Sequence, residues 1–195
     1  KIKNGADPSP FDKLPNPAII SAARANRLDI VKALVEAKVS VNRQSEKKSS
    51  PLTAAGMRGF EDTVRYLIEK KANVNSATTD NDTPLSLAVW KNHVTTALML
   101  MQAKADCSRV DRFGDTVLID AAKGGSPRLV RALIATKKLK LDHSNNDGLT
   151  PLLCAAMNNH QEVAKIFLEA KADPDIPNRD GATALIIAAS RGLKD

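Results

Sequence analysis

Aromatic residues are scarce in this sequence: one Trp, one Tyr and four Phe make up 3% of its 195 residues. A β-sandwich core usually draws on many aromatic and β-branched side chains, so this scarcity disfavours a fold built from packed sheets. The apolar residues that are present, mainly Ala, Leu, Val and Ile, favour closely packed helices instead.

Cysteine is also rare. Cys107 and Cys154 form neither a disulfide framework nor a metal-binding spacing. Free thiols without a secretory signal predict a reducing compartment, and hence a cytoplasmic location. No apolar run approaches the roughly 20 residues that a membrane span needs. The chain begins at Lys1 rather than Met, which is typical of an excised fragment. Attachment of the parent protein to a membrane therefore stays open as an alternative.

Combinations of residues that would support catalysis are missing as well. Of three histidines, His143 has no partner implied by the sequence, and no nucleophile, base and orienting group occur together. The stretch DHSNNDG at 142–148 is not a calcium loop, because Leu153 stands where a bidentate Glu is needed. No Gly-rich phosphate loop occurs. We therefore expect no enzyme activity, no cofactor and no metal.

Positive charge, by contrast, is in excess. The sequence contains 29 Lys and Arg and 22 Asp and Glu, which gives a net charge of +7. This balance favours acidic partners, whether peptides, lipid headgroups or nucleic acid, without choosing among them. The basic clusters are short and no aromatic residues interleave with them, which disfavours stacking on nucleic-acid bases.

A repeat of about 33 residues organises the chain. Ile19, Leu52, Leu85 and Leu118 are 33 residues apart, Leu152 follows after 34 and Leu185 after another 33, so that one residue is inserted near 138–142. A fixed period of this length is the mark of a stacked-repeat architecture.

Each repeat carries the same local signals. Ser50-Pro51, Thr83-Pro84 and Thr150-Pro151 are typical helix starts, because the hydroxyl caps free N–H groups and Pro needs no donor at the first helical position. One later offset holds only Asn or Gly, which accept the left-handed conformation that ends a helix: Asn26, Gly59, Asn92, Gly125, Asn159 and Gly192. A second amphipathic helix follows. Each unit is therefore predicted to consist of a helix, a turn, a second helix and a loop.

This pattern resembles the ankyrin repeat over essentially the whole chain, most clearly in DTPLSLAVWKNHVTTALMLMQAKAD and GLTPLLCAAMNNHQEVAKIFLEAKADPD. The resemblance implies an all-α solenoid of stacked helix-turn-helix units with short β-hairpin loops, and a structural hydrogen bond for His93 and His160. Residues 1–195 would form one domain. Its parts would be the tail of a preceding repeat at 1–13, complete repeats at 14–46, 47–79, 80–112, 113–146 and 147–179, and a partial repeat at 180–195. Neither end has a polar capping repeat, so we expect the array to extend further.

Two features depart from the family pattern. The His that usually follows Thr-Pro-Leu is replaced at every repeat, by Ile20, Thr53, Ser86, Ile119, Leu153 and Ile186. The Gly that usually follows the second helix is replaced by Lys38, Lys71, Lys104, Lys137 and Lys171. A left-handed Lys costs about 1 kcal/mol, of which its charge near a helix C-terminus recovers about 0.3–1 kcal/mol. Two interpretations of the five lysines stay open. They either end helices and are simply solvated, or they form a basic ridge that binds a partner.

The resemblance also predicts where a partner would bind. In ankyrin repeats the first helices and the loop tips face a concave groove. The residues at those places here are Arg24, Met57, Arg58, Trp90, Lys91, Arg112, Phe113, Lys123 and Met157. An aromatic residue among Met and Arg is the composition of a binding hot spot. Alternatively, Trp90 fills a gap in the core.

We therefore predict a non-catalytic protein-protein interaction module, a scaffold or adaptor, that binds a peptide or protein with acidic and apolar residues. Two alternatives stay open: contact of the lysine ridge with anionic lipid or nucleic acid, and an architectural spacer within a channel or enzyme.

Overall fold

The structure is a computed structural model that describes residues 17–191, and within them it contains eleven α-helices and no extended strand. The chain divides into two compact units, the first ending at Ala105 and the second beginning at Asp106. The first unit contains α1 (Ala18–Arg24), α2 (Leu28–Glu36), α3 (Pro51–Arg58), α4 (Glu61–Glu69), α5 (Pro84–Trp90) and α6 (Val94–Gln102). The second contains α7 (Val117–Lys123), α8 (Pro127–Ala135), α9 (Pro151–Met157), α10 (Gln161–Glu169) and α11 (Ala184–Ser190).

Within each unit the helices stack in two layers. In the first unit α3 contacts both α1 and α5, while α4 contacts α2 and α6. In the second unit α9 contacts α7 and α11, and α8 contacts α10. The loops between repeats turn without forming strands, apart from one antiparallel bridge between Val110 and Thr116. The predicted helix-turn-helix units are confirmed.

Hydroxyl caps begin the first helix of five repeats. The side chains of Ser50, Thr83, Thr116, Thr150 and Thr183 each accept a hydrogen bond from the backbone N–H three residues later. Two of the residues that replace the family's His add to these caps. The backbone N–H of Thr83 donates to Ser86 Oγ at 2.8 Å, and the hydroxyls of Ser50 and Thr53 are 2.8 Å apart.

The predicted helix ends are also confirmed wherever the structure describes them. Asn26, Gly59, Asn92, Gly125 and Asn159 have φ between 55° and 71°; Gly192 lies outside the described residues. Two residues after each second helix the chain has a left-handed lysine, with φ between 56° and 70°: Lys38, Lys71, Lys104, Lys137 and Lys171. Every non-Gly residue with positive φ in residues 17–191 is Asn or Lys.

The two glycine stops serve a second purpose, because each lies against a histidine of the next repeat. A Cβ on Gly59 would lie 2.5 Å from Nδ1 of His93, and one on Gly125 would lie 2.4 Å from Cε1 of His160. His160 Nε2 donates a hydrogen bond to the Lys123 carbonyl at 3.0 Å, which confirms its structural role. The histidine rings therefore occupy the space that the missing side chains leave.

The repeats differ in how they satisfy one buried hydroxyl. Thr63 is fully buried in α4, and its Oγ1 donates to Asn26 Oδ1 at 3.2 Å. Thr96 occupies the same place one repeat later, where the residue corresponding to Asn26 is Gly59. Thr96 Oγ1 accordingly has no hydrogen-bond partner among the described residues.

One apolar position recurs in every repeat and is buried in all but the last. Ile19, Leu52, Leu85 and Leu118 are 0% exposed and Leu152 is 3% exposed, because each is covered by neighbouring helices. At the same offset in α11, Leu185 is 73% exposed. Position in the repeat therefore does not by itself decide whether a residue is buried. Burial also requires a neighbouring repeat whose helices cover that position.

Candidate functional site

A cavity of about 620 Å³ lies in the first unit, along the ends of α1, α3 and α5 and beside two interhelical loops. We name it the Trp90 groove. Its lining includes Arg24, Met57, Arg58 and Trp90 on the helices, and Glu46, Lys47, Asp80 and Asp82 on the loops. Four of the nine site residues predicted from the sequence thus line one cavity.

Apolar side chains are displayed in this groove. The Trp90 side chain is 53% exposed and Met57 is 39% exposed, whereas Ala54, which also lines the cavity, is buried. The prediction that Trp90 is exposed is confirmed. Two large exposed apolar side chains and a small buried residue thus line the same cavity, a composition typical of a binding hot spot.

Lys91 adds a cation next to the indole. Its Nζ lies 3.8 Å from the centroid of the Trp90 ring, within the distance at which an ammonium is attracted to the negative face of an aromatic ring. One face of the indole is thereby occupied by the chain's own cation. The other face and the edge are what a partner would meet.

Charges on the two sides of the Trp90 groove differ. Arg24 and Arg58 stand at the ends of α1 and α3, so the helix side is basic. The loop side carries Glu46, Asp80 and Asp82 against a single Lys47. The acidic residues were not among the predicted site residues, although Glu46 and Asp80 occupy loop-tip positions and could have been found from them. The groove therefore has an excess of positive charge on its helix side and an excess of negative charge on its loop side.

A separate aromatic surface lies in the second unit. The guanidinium carbon of Arg112 lies 4.7 Å from the centroid of the Phe113 ring, and Phe113 is 52% exposed. The backbone N–H of Asn146 donates to the Phe113 carbonyl at 3.0 Å, which ties this loop tip to the next one. Met157, at the end of α9, is partly exposed.

Lys123 is engaged within the chain. Its ammonium donates to Oδ2 of the buried Asp115, whose Oδ1 accepts a 2.7 Å hydrogen bond from Asn145 Nδ2. Burial opposes the charged form of Lys123, but the hydrogen bond and charge of Asp115 outweigh it, and the pKa of Lys123 is raised. Its charge is thus largely offset before any partner arrives.

Neither cysteine is available for chemistry. Cys154 is 1% exposed and Cys107 is 5% exposed, and both are free thiols. Burial raises the pKa of the Cys154 thiol to about 12, against a smaller opposing effect of Lys123. Burial raises the pKa of Cys107 as well. A nucleophilic cysteine needs the reverse, a lowered pKa and access to solvent.

One side chain fixes each loop, a feature that the sequence reasoning missed. In every case its oxygen accepts a hydrogen bond from the backbone N–H four residues later, at 2.9 to 3.2 Å. The five residues are Ser45, Thr78, Asp111, Asn145 and Asn178. Their regular spacing in a polar turn could have identified them.

Two kinds of feature are absent from residues 17–191. No cluster of three or more His, Cys, Asp or Glu has the arrangement needed to hold a metal ion. None of the described helices has both the length and the apolar character that crossing a membrane requires.

Comparisons with known proteins agree on the fold. The family model "Ankyrin repeats (3 copies)" matches residues 19–111, 100–178 and 118–195. The putative ankyrin repeat protein YahD of Escherichia coli K12 is 32% identical over 91 residues, which cover 44% of this chain and 45% of YahD. The human ankyrin repeat and KH domain-containing protein 1 is 35% identical over 89 residues, which cover 44% of this chain and 3% of that protein. The chain thus spans less than half the length of these relatives.

A solved structure matches more of the chain. The crystal structure of an ankyrin repeat domain from Acinetobacter baumannii AYE is 30% identical, with a TM-score of 0.81 over 90% of this chain and 91% of that one. The predicted fold class, an all-α ankyrin-repeat solenoid, is confirmed. The chain belongs to the ankyrin repeat family.

Proposed function

We propose that this chain is a non-catalytic scaffold or adaptor module of a larger protein, and that the Trp90 groove binds a peptide or protein partner with acidic and apolar residues. Ankyrin repeats are generally protein-protein interaction modules rather than enzymes. The observation that carries the proposal is the half-exposed indole of Trp90 beside Met57, in a groove flanked by Arg24 and Arg58.

Each residue has a distinct role in this proposal. Trp90 and Met57 are the apolar anchors, because aromatic and Met side chains give large contact areas in the desolvated centre of an interface. Arg24, Arg58 and Lys91 pair with partner carboxylates. Arginine suits this task because its planar guanidinium binds a carboxylate through two parallel hydrogen bonds.

The second unit offers further contact residues, namely the Arg112–Phe113 pair and, at the end of α9, Met157. The exposed Phe113 ring with its stacked Arg112 resembles the Trp90–Lys91 pair in composition. Lys123 contributes less, because Asp115 already neutralises it. No metal or cofactor takes part, and the two buried free thiols support a reducing, cytoplasmic setting.

The test is affinity capture with wild-type and Trp90→Ala baits, followed by identification of the proteins that the variant loses. Ile30→Ala is the matched control, since Ile30 is an apolar residue of α2 in the same unit, 38% exposed, and does not line the groove. The expected result is a partner retained by Ile30→Ala and lost by Trp90→Ala. Equal capture by all three baits would reject the groove as the binding site.

A second candidate function is contact with an anionic surface through the lysines that end the second helices. It is favoured by the exposure of Lys38, Lys71 and Lys104 in the first unit and of Lys137 and Lys171 in the second, each held in a left-handed conformation. Binding of this kind weakens steeply with salt and does not depend on Trp90. Sedimentation with anionic vesicles, and titration with duplex DNA, at 50 and 200 mM salt distinguish it from groove binding.

A further inference from the structure

The Trp90 groove presents one side chain per repeat at a fixed interval. Arg24, Met57 and Trp90 are 33 residues apart and stand at the ends of three stacked helices. Packed helices lie about 8–10 Å apart. The contact between α3 and α5 is close, since a Cβ on Gly56 would lie 3.0 Å from the Pro84 carbonyl oxygen. An occupant that follows the groove must therefore present the same face about every 9 Å.

This interval selects among backbone conformations. In a β-strand the same face recurs about every 6.7 Å, which falls out of step after one repeat. A polyproline II segment has three residues per turn at about 3.1 Å each, so its faces recur about every 9 Å. It stays in step with the repeats.

An α-helix also returns to the same face, after seven residues or about 10.5 Å. This step is longer than the 8–10 Å spacing of packed helices. Over the two steps from Arg24 to Trp90 an α-helix would advance about 21 Å against about 18 Å for the groove, so it would be about 3 Å out of register. A polyproline II segment stays closer to the interval of the repeats.

Charge gives the orientation of the segment about its axis. The helix side of the groove is basic through Arg24 and Arg58, and the loop side has an acidic excess through Glu46, Asp80 and Asp82. A segment with three faces can direct one face to each side and leave the third in solvent. Carboxylates would then face the helices and cations would face the loops.

We propose that the Trp90 groove takes a partner segment in the polyproline II conformation whose residues alternate in threes: an acidic or apolar residue toward the helix ends, a basic residue toward the loops, and a solvent-facing residue. The proposal rests on the proposed function of the groove. On the helix side, an acid faces Arg24, and apolar residues three and six positions away face Met57 and Trp90. Proline suits the solvent-facing position, because it fixes the conformation and needs no donor there.

The first experiment is selection from a phage-displayed library of random twelve-residue peptides on the wild-type chain, with counter-selection on Trp90→Ala. The expected binders share acidic or apolar residues at intervals of three, with basic residues one position away in a constant direction. Binders that repeat every two residues, or with helical spacing of three, four and seven, would overturn the polyproline II proposal and leave groove binding intact. If counter-selection on Trp90→Ala removes every binder, the proposed function fails and this inference fails with it.

The second experiment tests the charges directly with synthetic peptides that lack Trp. Trp90 is the chain's only tryptophan, so its emission reports occupancy of the groove. A peptide of the selected pattern should bind at least ten-fold more tightly than a peptide of identical composition rearranged with a period of two. Arg24→Glu should weaken binding about ten-fold, and a peptide with Lys in place of the acid that faces Arg24 should restore it. Equal affinity of the two arrangements, or no restoration, would contradict the proposed register.

Discussion

The ammonium of Lys91 lies 3.8 Å from the centroid of the Trp90 ring, so the most exposed aromatic residue among the described residues of the first unit has a cation of the same chain on its ring. Lys91 covers one face of the indole, and Trp90 is still 53% exposed. The rest of the exposed ring surface is left for other contacts.

Trp90→Ala is expected to lower the free energy of unfolding by about 1 kcal/mol, because half of the side chain is exposed and only part of its apolar area is lost. Leu85→Ala, in the same helix but at a fully buried position, is expected to cost about 2–5 kcal/mol, which is the usual range for buried leucines. Urea denaturation of the two variants measures the difference. Equal losses would mean that Trp90 belongs to the core.

Thr96→Val is expected to leave the free energy of unfolding unchanged or to raise it by about 1 kcal/mol, since it removes a buried hydroxyl that has no partner among the described residues. Thr63→Val is the matched variant and should cost about 1 kcal/mol, because the hydroxyl of Thr63 donates to Asn26. Chemical denaturation of both variants gives the comparison. A larger loss for Thr96→Val than for Thr63→Val would contradict this account of the two sites.

Gly59→Ala should lower the free energy of unfolding by about 2–4 kcal/mol, combining left-handed strain with the clash against His93. Gly181→Ala isolates the strain, because Gly181 also has positive φ and an added Cβ there meets nothing within 4 Å. It should cost about 1–2 kcal/mol. A cycle with His93→Ala measures the clash, and additive effects of Gly59→Ala and His93→Ala would show that there is none.

Leu152→Ala is expected to cost about 2–5 kcal/mol of unfolding free energy and Leu185→Ala less than about 0.5 kcal/mol, although both residues hold the same place in the repeat. The reason is exposure, which is 3% for Leu152 and 73% for Leu185. Thermal denaturation of both variants checks it. A substantial loss for Leu185→Ala would reveal contacts that the described residues do not make.

The raised pKa of the Cys154 thiol predicts that the folded chain loses stability at high pH. Its pKa is raised to about 12 in the folded chain from an ordinary value of 9.0, so the folded state holds the proton more tightly. The resulting stabilisation is complete below pH 9.0 and is lost as the pH rises through about 12, by roughly 4 kcal/mol at most. Urea denaturation between pH 8 and 11 should show a shallower decline for Cys154→Ala than for the wild type. Parallel declines would exclude this contribution.

Much of the fold could be predicted because a left-handed backbone restricts one position to few residue types. Asn92 and Gly125 mark helix ends for that reason, and the repeated Thr-Pro pairs mark starts. The exposure of Trp90 followed from its place after the small residues of the first helix. These are local properties, and a single repeat already contains them.

Contacts between distant residues could not be predicted in the same way. The pairing of Lys123 with Asp115 depends on side-chain direction, and the bond from Asn145 to Asp115 joins residues 30 positions apart. The unsatisfied hydroxyl of Thr96 follows only from a Gly in the preceding repeat. The acidic side of the groove was not predicted, because the net charge of +7 describes the whole chain and does not show which charges share one surface.

The side-chain oxygens that secure the five loops have a consequence for diversification. Because the backbone of each loop is held by its first residue, a change at the two tip residues leaves that support in place. Asn146 is an exception, since its Nδ2 also donates to the Arg112 carbonyl at 3.2 Å. The tips here are already all different: Glu46-Lys47, Thr79-Asp80, Arg112-Phe113, Asn146-Asp147 and Arg179-Asp180. New specificities could thus arise by two-residue replacements on an unaltered framework, which makes the loop tips natural targets for evolution and for engineering.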